Sequence, residues 1–329
     1  MSSAGRRISE VTKGHGATCG SMFIDLNLGN LLIKKFGKQG TKFPKDIIPG
    51  LVDKFAYELK PIFDGDEDLN LALLRNDCFD NLENPGSIGI NGNGSYMRLK
   101  ASELKKVVFD PVVKKVLALI QEQLDSAKSC QAIFMVGGFG ASAYLLKCVK
   151  QEFGGVVRII SSPHKPEMAV VCGAVYAGLN PELVTARVTR RCYGIGVMSP
   201  FNEGIDPISL KVHTTDGAKC RTRFSTFVRK GQKVEMDECV SHRYNVINDP
   251  CTFGSYGLTI YSIDGEPRRY YTDPGVSMLA RIPFPSPFKS SDPVGHKVYI
   301  NVKMYFGLSE IRAEGIIQGN KYCTTLRFD

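Results

Sequence analysis

The stretch IFMVGGFGASAYL, residues 133–145, contains the turn from which the fold of this chain is most readily deduced. Strand-forming apolar residues run into Gly137 and Gly138, and small residues then begin a helix. We expect the strand to be buried. Glycine has no Cβ atom, so the backbone of such a turn can approach an anionic or aromatic ligand, assisted by free N–H groups of the next helix. Because close helix–strand packing also needs glycine, the pair predicts either a ligand cradle or a structural turn.

Helix and strand patterns alternate on both sides of this turn. Before it, SELKKVVFDPVVKKVLALIQEQLDSAK (102–128) has apolar residues at helical spacing, with Ser102 as the predicted N-cap. Pro111 either divides this segment into two helices or lies in the first turn of the second. After the turn come a helix over 142–153, a strand over 157–161 and a helix over 166–179. This order predicts a largely parallel sheet with helices packed on it.

The pattern of residue types along the sequence changes near residue 185. Turn residues then separate short strand-like runs, as in SPFNEG, TTDG, SIDGEP and TDPG. In KVYINVKMYFG (297–307) every second residue is apolar, from Val298 to Phe306, which is typical of a strand with one buried face. We therefore predict an α/β unit over residues 1–185 and an all-β, sandwich-like domain of about eight to ten strands over residues 186–329.

Composition sets limits on the function. The chain has 329 residues, of which 43% are hydrophobic and 23% charged, which is ordinary for two globular domains. The longest apolar stretch, 132–146, is shorter than the roughly 20 residues of a membrane span, and the N-terminal residues lack the apolar core of a secretion signal. We predict a soluble, cytoplasmic chain without membrane insertion.

The charged, cysteine and histidine residues give no motif. The net charge of +9 comes from basic residues that are spread along the chain, so we expect no nucleic-acid partner. A nucleic-acid-binding module stays open on the charge alone. The ten cysteines form no C-x-x-C pair and the five histidines have no zinc-ligand spacing, so no metal site is predicted.

Several stretches resemble the 70-kDa heat-shock chaperone family. Residues 96–120, 133–153 and 163–179 are similar to the second lobe of its actin-like ATPase. In the β-rich half, RRCYGIGV (190–197), RYYTDPGV (269–276) and MYFGLSEIRAEGI (304–316) resemble an atypical branch, heat shock 70 kDa protein 12. The resemblance covers nearly the whole chain. It implies that residues 1–185 are a fragment of an actin-like nucleotide-binding lobe.

The resemblance also implies a site for ATP or ADP, with Mg²⁺ bound only together with the nucleotide. Gly137 and Gly138 match the turn that contacts adenosine and phosphate. Gly16 and Gly20 match a glycine segment after the second phosphate loop. Where typical members place an arginine against adenine, this chain has Phe139, so the resemblance implies an apolar contact or one from elsewhere.

Three charged residues match the nucleoside side of that site. Glu167 matches an acidic position near the ribose, and Lys60 matches a lysine that contacts the nucleoside. Glu58 is a poorer match because its spacing differs. For Lys60 and Glu58 a solvated helix face is an equal alternative, and Glu167 is equally explained as a carboxylate at a helix start.

The family's phosphate loops, of the D-x-G-T and D-x-G-G-G-T kind, do not occur in this sequence. We therefore expect no catalytic or metal-ligating residues, weak nucleotide binding or none, and no ATPase activity in this chain alone. The expected function is that of a truncated atypical heat-shock-70-like protein that binds protein partners or clients through its β-rich domain. The alternative is a chaperone-type ATPase whose first lobe is supplied by a longer product. A natural short form, a partial gene model and a diverged paralogue stay equally open.

Overall fold

The computed structural model describes residues 7–37, 47–72, 88–91, 94–127, 129–236, 238–249, 256–306 and 310–326. It divides the chain into two compact units. The α/β unit is His15–Leu179, and the β unit combines Met1–Gly14 with Asn180–Asp329. The predicted α/β unit, residues 1–185, is longer than the observed one at both its N-terminal and its C-terminal end. The pairing of two strands explains the difference.

The first described strand, β1 (Ile8–Ser9), belongs to the β unit. It runs parallel to the strand Val184–Val188, so residue 185 lies inside a strand and not between domains. The N–H of Glu10 donates to the carbonyl of Ala186 at 3.0 Å, and the Glu10 carboxylate accepts from the N–H of Val188 at 2.8 Å. These bonds tie the N-terminal residues to the β unit, whereas the sequence placed them in the α/β unit.

The α/β unit contains seven described α-helical segments and five described strands. The first helices are α1 (Met22–Gly37) and α2 (Ile47–Lys54), which continues as a π-helical turn, Phe55–Leu59. The strands β2 (Leu69–Ala72), β3 (Ile88–Asn91) and β4 (Gly94–Leu99) form an antiparallel sheet with β4 in the centre. The remaining elements, in chain order, are α3 (Ala101–Glu103), α4 (Asp110–Ser126), β5 (Ala132–Phe134), α5 (Gly137–Gly140), α6 (Ala143–Phe153), β6 (Ile159–Ser161) and α7 (Ala169–Leu179).

Segments α3 and α4 are joined by a π-helical turn, Leu104–Phe109, into one helical run. Pro111 lies in the first turn of α4, which is one of the two predicted positions. Because proline has no N–H and its ring displaces the preceding carbonyl, the wider π-helical turn accommodates it without ending the helix. Ser102 is not the N-cap, since it lies inside the first turn. The Asp68 carboxylate caps this end, accepting from the N–H of Ala101 at 2.8 Å.

Aromatic rings form the centre of the α/β core. Phe63 packs on Phe109 with ring centroids 4.5 Å apart, and the ring of Tyr144 lies 5.4 Å from each of them. The buried side of α1 reaches the same core through Ile24 and Leu28. This core therefore joins α1, the π-helical turns and α6.

The predicted order of strand, helix, strand and helix is confirmed by β5, α6, β6 and α7. The parallel sheet is smaller than predicted, because among the described strands of this unit only β5 and β6 pair in parallel. The expectation of a buried strand before the glycine pair is wrong. Phe134 is 63% exposed, and Ile159 on β6 is exposed as well.

The described strands of the β unit form three sheets. One is small, with the order β1–β7–β11, and the other two have the orders β14–β13–β8–β10–β9 and β12–β15–β16–β17. The strands after β1 are β7 (Val184–Val188), β8 (Cys192–Pro200), β9 (Lys211–Thr214), β10 (Gly217–Val228), β11 (Lys233–Glu235), β12 (Cys239–Ile247), β13 (Gly257–Ile263), β14 (Val276–Pro283), β15 (Lys297–Tyr305), β16 (Ile311–Ile317) and β17 (Asn320–Leu326). The described strands from β7 onward number eleven, slightly more than predicted.

The two larger sheets of the β unit share one hydrophobic core. Ile195 and Ile260 come from the five-stranded sheet, and Ile300 and Ile317 come from the four-stranded sheet. The alternation predicted for β15 is confirmed, because its alternate apolar residues from Val298 to Met304, and the following Phe306, are all buried. This sharing of a core is the packing of a β sandwich. No helix in the described part of the chain has the length and apolar content that crossing a membrane requires.

Candidate functional site

The glycine turn after β5 has an open side and a packed side. Gly137 adopts a φ of +79°, which glycine reaches without strain. A Cβ atom built on Gly137 or Gly138 would meet no other atom within 4 Å, whereas one built on Gly140 would lie 2.7 Å from the carbonyl carbon of Met135. Close packing between the strand and the helix therefore requires glycine at position 140. It does not require glycine at positions 137 and 138, where the backbone faces open space.

Side-chain hydroxyl groups hold this turn in shape. The Ser162 hydroxyl lies 3.2 Å from the carbonyl oxygen of Met135 and 3.0 Å from that of Gly140, and it donates to this pair of acceptors. The hydroxyl of Ser142 accepts from the N–H of Leu145 at 3.3 Å and caps the start of α6. Phe139 is half-buried and packs on the hydrophobic core of the unit. The backbone of the turn is thus preformed.

Glu167 lies in a single 3₁₀ turn, Pro166–Met168, between β6 and α7. Its side chain is exposed, and the turn packs against α5, which places it beside the glycine turn. Lys165 precedes the turn in the left-handed region, with a φ of +56°. Glu167 thus lies at the start of a helical segment, which is one of the two explanations that the sequence offered for it. It is also close to the Gly137–Gly138 turn, the predicted contact for adenosine and phosphate.

Lys60 has a carboxylate partner that the sequence did not reveal. Its Nζ lies 2.7 Å and 2.8 Å from the two carboxylate oxygens of Asp25 on α1, and both side chains are largely buried. Glu58 is exposed and lies 4.0 Å from Lys54 on the same helix. Lys60 therefore does not lie on a solvated face, and its ammonium group is paired with Asp25. An acidic residue in the first turn of α1 was the available signal for this ion pair.

Gly16 and Gly20 lie just before α1. A Cβ atom on either glycine would meet nothing within 4 Å, so neither is required for packing. The carbonyl of Gly20 accepts from the N–H of Phe23 at 3.0 Å and begins the helix. Through α1 these glycines are connected to the Lys60–Asp25 ion pair.

The predicted site residues therefore fall into two groups. Gly137, Gly138 and Glu167 lie on neighbouring segments, and Gly16, Gly20 and Lys60 are linked through α1. Within the part of the chain that the structure describes, no hydrogen bond or ion pair joins the two groups, and no three His, Cys, Asp or Glu side chains gather as metal ligands. The open glycine turn fits a phosphate, whereas the nucleoside side of the predicted site is not assembled by these residues.

The β unit contains a cleft that was not predicted from the sequence. It has a volume of about 450 Å³ and lies between the two larger sheets. Its apolar lining comes from β8, β12, β13, β15 and the residues just before β13 and after β14. The apolar lining residues include Ile195, Val197, Tyr244, Val246, Leu258 and Phe284. No local pattern predicts such a cleft, because it arises where strands that are distant in sequence diverge.

Two strand edges open into this cleft. The strand β13 pairs with β8 only along residues 192–195 of β8, although residues 195–198 all line the cleft. Residues 243–247 of β12 also line it consecutively, and β12 pairs over nine residues with β15 alone among the described strands. Since successive side chains of a strand alternate between faces, consecutive lining residues mean that the backbone itself borders the cleft.

A buried carboxylate fixes the RYYTDPGV stretch. The side chain of Asp206 is fully buried; its Oδ1 accepts from the Nε of Arg269 at 2.9 Å and from the hydroxyl of Tyr270 at 2.7 Å. Arg223 on β10 lies 3.5 Å away. Burial on its own would raise the pKa of Asp206, but the N–H of Asn202, the Tyr270 hydroxyl and the arginines lower that pKa to about 2. The network joins three segments of the β unit.

The structure thus defines a chain of mixed helices and sheets, with a glycine-turn α/β unit and a β sandwich. It is similar to heat shock 70 kDa protein 12A of Homo sapiens, with 24% identity over 328 residues, 94% of this chain and 48% of the relative. The Mus musculus protein of the same name gives the same values. Heat shock 70 kDa protein 12B of Homo sapiens is 28% identical over 290 residues, 82% of this chain and 42% of the relative.

These similarities confirm the resemblance to the heat shock 70 kDa protein 12 branch. No family model matches the chain. The chain spans about half the length of the curated relatives it matches, at 48% and 42% of their residues.

Proposed function

We propose that this chain is an atypical heat-shock-70-like protein that binds extended segments of other proteins in the cleft of its β unit. The observation that carries the proposal is the pair of open strand edges, on β8 and β12, that border the same apolar cleft. An extended peptide that adds to such an edge gains main-chain hydrogen bonds, and its alternate side chains enter the pocket beside the edge.

The chemistry of the cleft selects the kind of peptide. Half-buried Val197 and Val246 are among the apolar residues of the cleft, so alternate apolar residues of the ligand fit there. The charged residues that line the cleft are Lys219, Arg243 and Asp249, two of them positive and one negative. The guanidinium of Arg243 stacks 4.0 Å from the ring centre of Tyr299. We therefore expect the cleft to accept acidic residues at the remaining alternate positions of the ligand.

The test is the binding of a fluorescein-labelled peptide of alternating leucine and glutamate, followed by fluorescence anisotropy. Val246→Asp places a charge in the apolar cleft, and we expect it to weaken binding by about tenfold or more. Met278→Asp is the matched control, because Met278 is exposed on β14 and does not line the cleft. A folded Val246→Asp variant that binds with unchanged affinity would refute the proposal.

We further propose weak binding of ATP or ADP at the Gly137–Gly138 turn, with Mg²⁺ bound through the nucleotide phosphates. Support comes from the open side of the preformed turn and the nearby Glu167. A ligand contacted mainly from one side loses much of its burial, so the expected dissociation constant is about millimolar. Calorimetric titration with ATP and Mg²⁺ measures it.

A chaperone-type ATPase is the alternative function, and the observation that favours it is the length of the relatives. About half of their length has no counterpart in this chain. Phosphoryl transfer needs carboxylates for the metal and loops around the phosphates, and these would then come from outside this chain. We expect no phosphate release above buffer from this chain alone at saturating ATP and Mg²⁺. Steady release by this chain would favour the alternative.

A further inference from the structure

The four-stranded sheet β12–β15–β16–β17 has one buried face and one exposed face. The even-numbered residues of β15 point into the sandwich core. The odd-numbered residues of β15, and the residues of the other strands in register with them, lie on the opposite side, which we call the outer face. Tyr299, on the central strand β15, is 53% exposed. The other exposed side chains of this face include Arg243, Asn245, Asn301, Arg312 and Lys321. No element of the described chain therefore covers the outer face.

The outer face is positively charged. Its strands carry one acidic side chain, Glu314, and the five basic side chains Arg243, Lys297, Lys303, Arg312 and Lys321. Glu314 is buried, and its Oε1 lies 2.7 Å from the Nζ of Lys321 and 3.2 Å from the Nε of Arg312. The Nζ of Lys297 lies 2.8 Å from a carboxylate oxygen of Asp216, in the turn before β10. These two carboxylates offset two of the five positive charges, which leaves an excess of three.

Two tyrosine rings on β15 each stack with a guanidinium group. The Arg243 guanidinium lies 4.0 Å from the ring centre of Tyr299, and the Arg312 guanidinium lies 4.3 Å from that of Tyr305. The Tyr305 hydroxyl also donates to the Glu314 carboxylate at 3.3 Å, which fixes the orientation of its ring. The two tyrosines are six positions apart on β15, about 20 Å along a strand. Aromatic rings and guanidinium planes held in this way are surfaces on which nucleobases stack.

We propose that the outer face binds single-stranded nucleic acid, with phosphates at the lysines and bases stacked on the two tyrosine–arginine pairs. An uncovered four-stranded antiparallel sheet with exposed aromatic residues is one of the surfaces that bind single-stranded RNA. The excess positive charge complements the phosphates, and the planar groups complement the bases. An acidic peptide or a lipid headgroup would use only the charge. Asn245 and Asn301 supply amide donors and acceptors for base edges on the same face.

The sequence predicted no nucleic-acid partner because its basic residues are spread along the chain. Folding brings five of them, from positions 243 to 321, onto one face of one sheet. This face lies on the opposite side of the sheet from the sandwich core, so the proposal does not depend on peptide binding in the cleft or on nucleotide binding. Arg243, on the edge strand β12, borders both the cleft and the outer face. The variants below therefore leave Arg243 unchanged.

The first test is the binding of a fluorescein-labelled oligouridylate of about 12 nucleotides to the full chain, followed by fluorescence anisotropy. The logarithm of the association constant should fall with the logarithm of the salt concentration with a slope of about −2, which corresponds to three phosphate contacts on a single strand. Lys303→Gln should weaken binding and make this slope shallower by about 0.7. Lys233→Gln is the matched control, because it removes an exposed lysine from β11 in a different sheet. It should change neither the affinity nor the slope.

The second test separates stacking from charge. Tyr299→Ala should weaken binding of the single strand about fivefold or more, with an unchanged salt slope, because it removes a ring on which a base stacks. Tyr299→Phe keeps the ring and should keep the wild-type affinity. Binding of an RNA duplex should not respond to Tyr299→Ala, because paired bases are not available for stacking on the sheet.

Four results would overturn the proposal. The first is no binding of the single strand by the wild-type chain at about 50 mM salt. The second is an equal effect of Lys303→Gln and Lys233→Gln, which would mean that the charge of the whole chain, and not the outer face, binds the strand. The third is unchanged affinity in a folded Tyr299→Ala variant. The fourth is tighter binding to phosphatidylserine vesicles than to the oligouridylate, with loss in Lys303→Gln, which would assign the face to a lipid surface.

Discussion

At the scale of single residues, the glycines after β5 differ in the space that the structure leaves for a Cβ methyl group. At Gly138 it would extend into open space, whereas at Gly140 it would collide with the backbone of Met135. The sequence shows a glycine-rich turn but contains no local signal for this difference, which depends on how the strand and the short helix approach each other. The distinction separates an effect on binding from an effect on folding.

The substitutions Gly138→Asp and Gly140→Ala are expected to have opposite consequences. Gly138→Asp adds a negative charge on the open side, so ATP binding should be lost while the thermal midpoint stays within error of wild type. Gly140→Ala should cost about 1–3 kcal/mol of unfolding free energy, because the overpacked backbone has to move. Calorimetry and thermal unfolding measure the two effects. Unchanged ATP affinity in a folded Gly138→Asp variant would make the glycine pair purely structural.

Lys60 and Asp25 are expected to contribute to stability rather than to nucleotide binding. Lys60→Met leaves the largely buried Asp25 carboxylate without its partner, and we expect a loss of about 1–2 kcal/mol. The double variant Lys60→Met with Asp25→Leu should recover part of this loss, since no charge is then left unpaired. Urea unfolding of the single and double variants measures the coupling. Additive losses would show that the ion pair does not contribute.

At the scale of elements, periodic patterns were predictable and long-range contacts were not. The alternation in β15 predicted its buried residues because a strand buries every second side chain. The exposed face of α7 contradicts what its apolar composition suggests, because burial requires a partner element that the local sequence does not specify. Lys60 illustrates the same limit within the candidate site, since its partner Asp25 lies 35 residues away.

The contact between the 202–206 turn, β10 and the 269–271 stretch should be lost in acid. The folded pKa of Asp206, about 2, lies below its ordinary value of 3.8. A carboxylate with a depressed pKa stabilises the fold fully above about pH 4, and this contribution disappears as the pH falls through the folded pKa. Urea midpoints should therefore fall between about pH 4 and pH 2. Asp206→Asn should be less stable at pH 7 and show a smaller fall over that range. An unchanged fall would exclude Asp206 as its source.

At the scale of the whole molecule, separating the two units requires two cuts. The α/β unit begins at His15 and ends at Leu179, so both of its ends continue into the β unit. We expect limited proteolysis to cleave near the exposed residues 179–182 and near residue 14, and to leave β7 intact. Residues 7–13 should then stay with the 180–329 fragment through the pairing of β1 with β7.

Native size exclusion followed by mass spectrometry identifies which fragment retains that N-terminal peptide. Arg7→Ala is a useful control, because it removes only the exposed 3.3 Å ion pair with Glu182 and should leave the fragments associated. Recovery of the peptide with the α/β fragment would contradict the pairing. So would cleavage inside Val184–Val188.

The pairing of β1 with β7 also sets an order of events on the ribosome. Glu10 and Val188, which are joined by a hydrogen bond from the Val188 N–H to the Glu10 carboxylate, are 178 positions apart. At typical synthesis rates, translation of that interval takes about 10–35 seconds. During this time β1 has emerged without its partner strand, while the α/β unit is already complete enough to fold. Among the described strands of the β unit, the N-terminal strand is thus made first and waits longest for its partner, so it depends on nascent-chain protection for longer than the others.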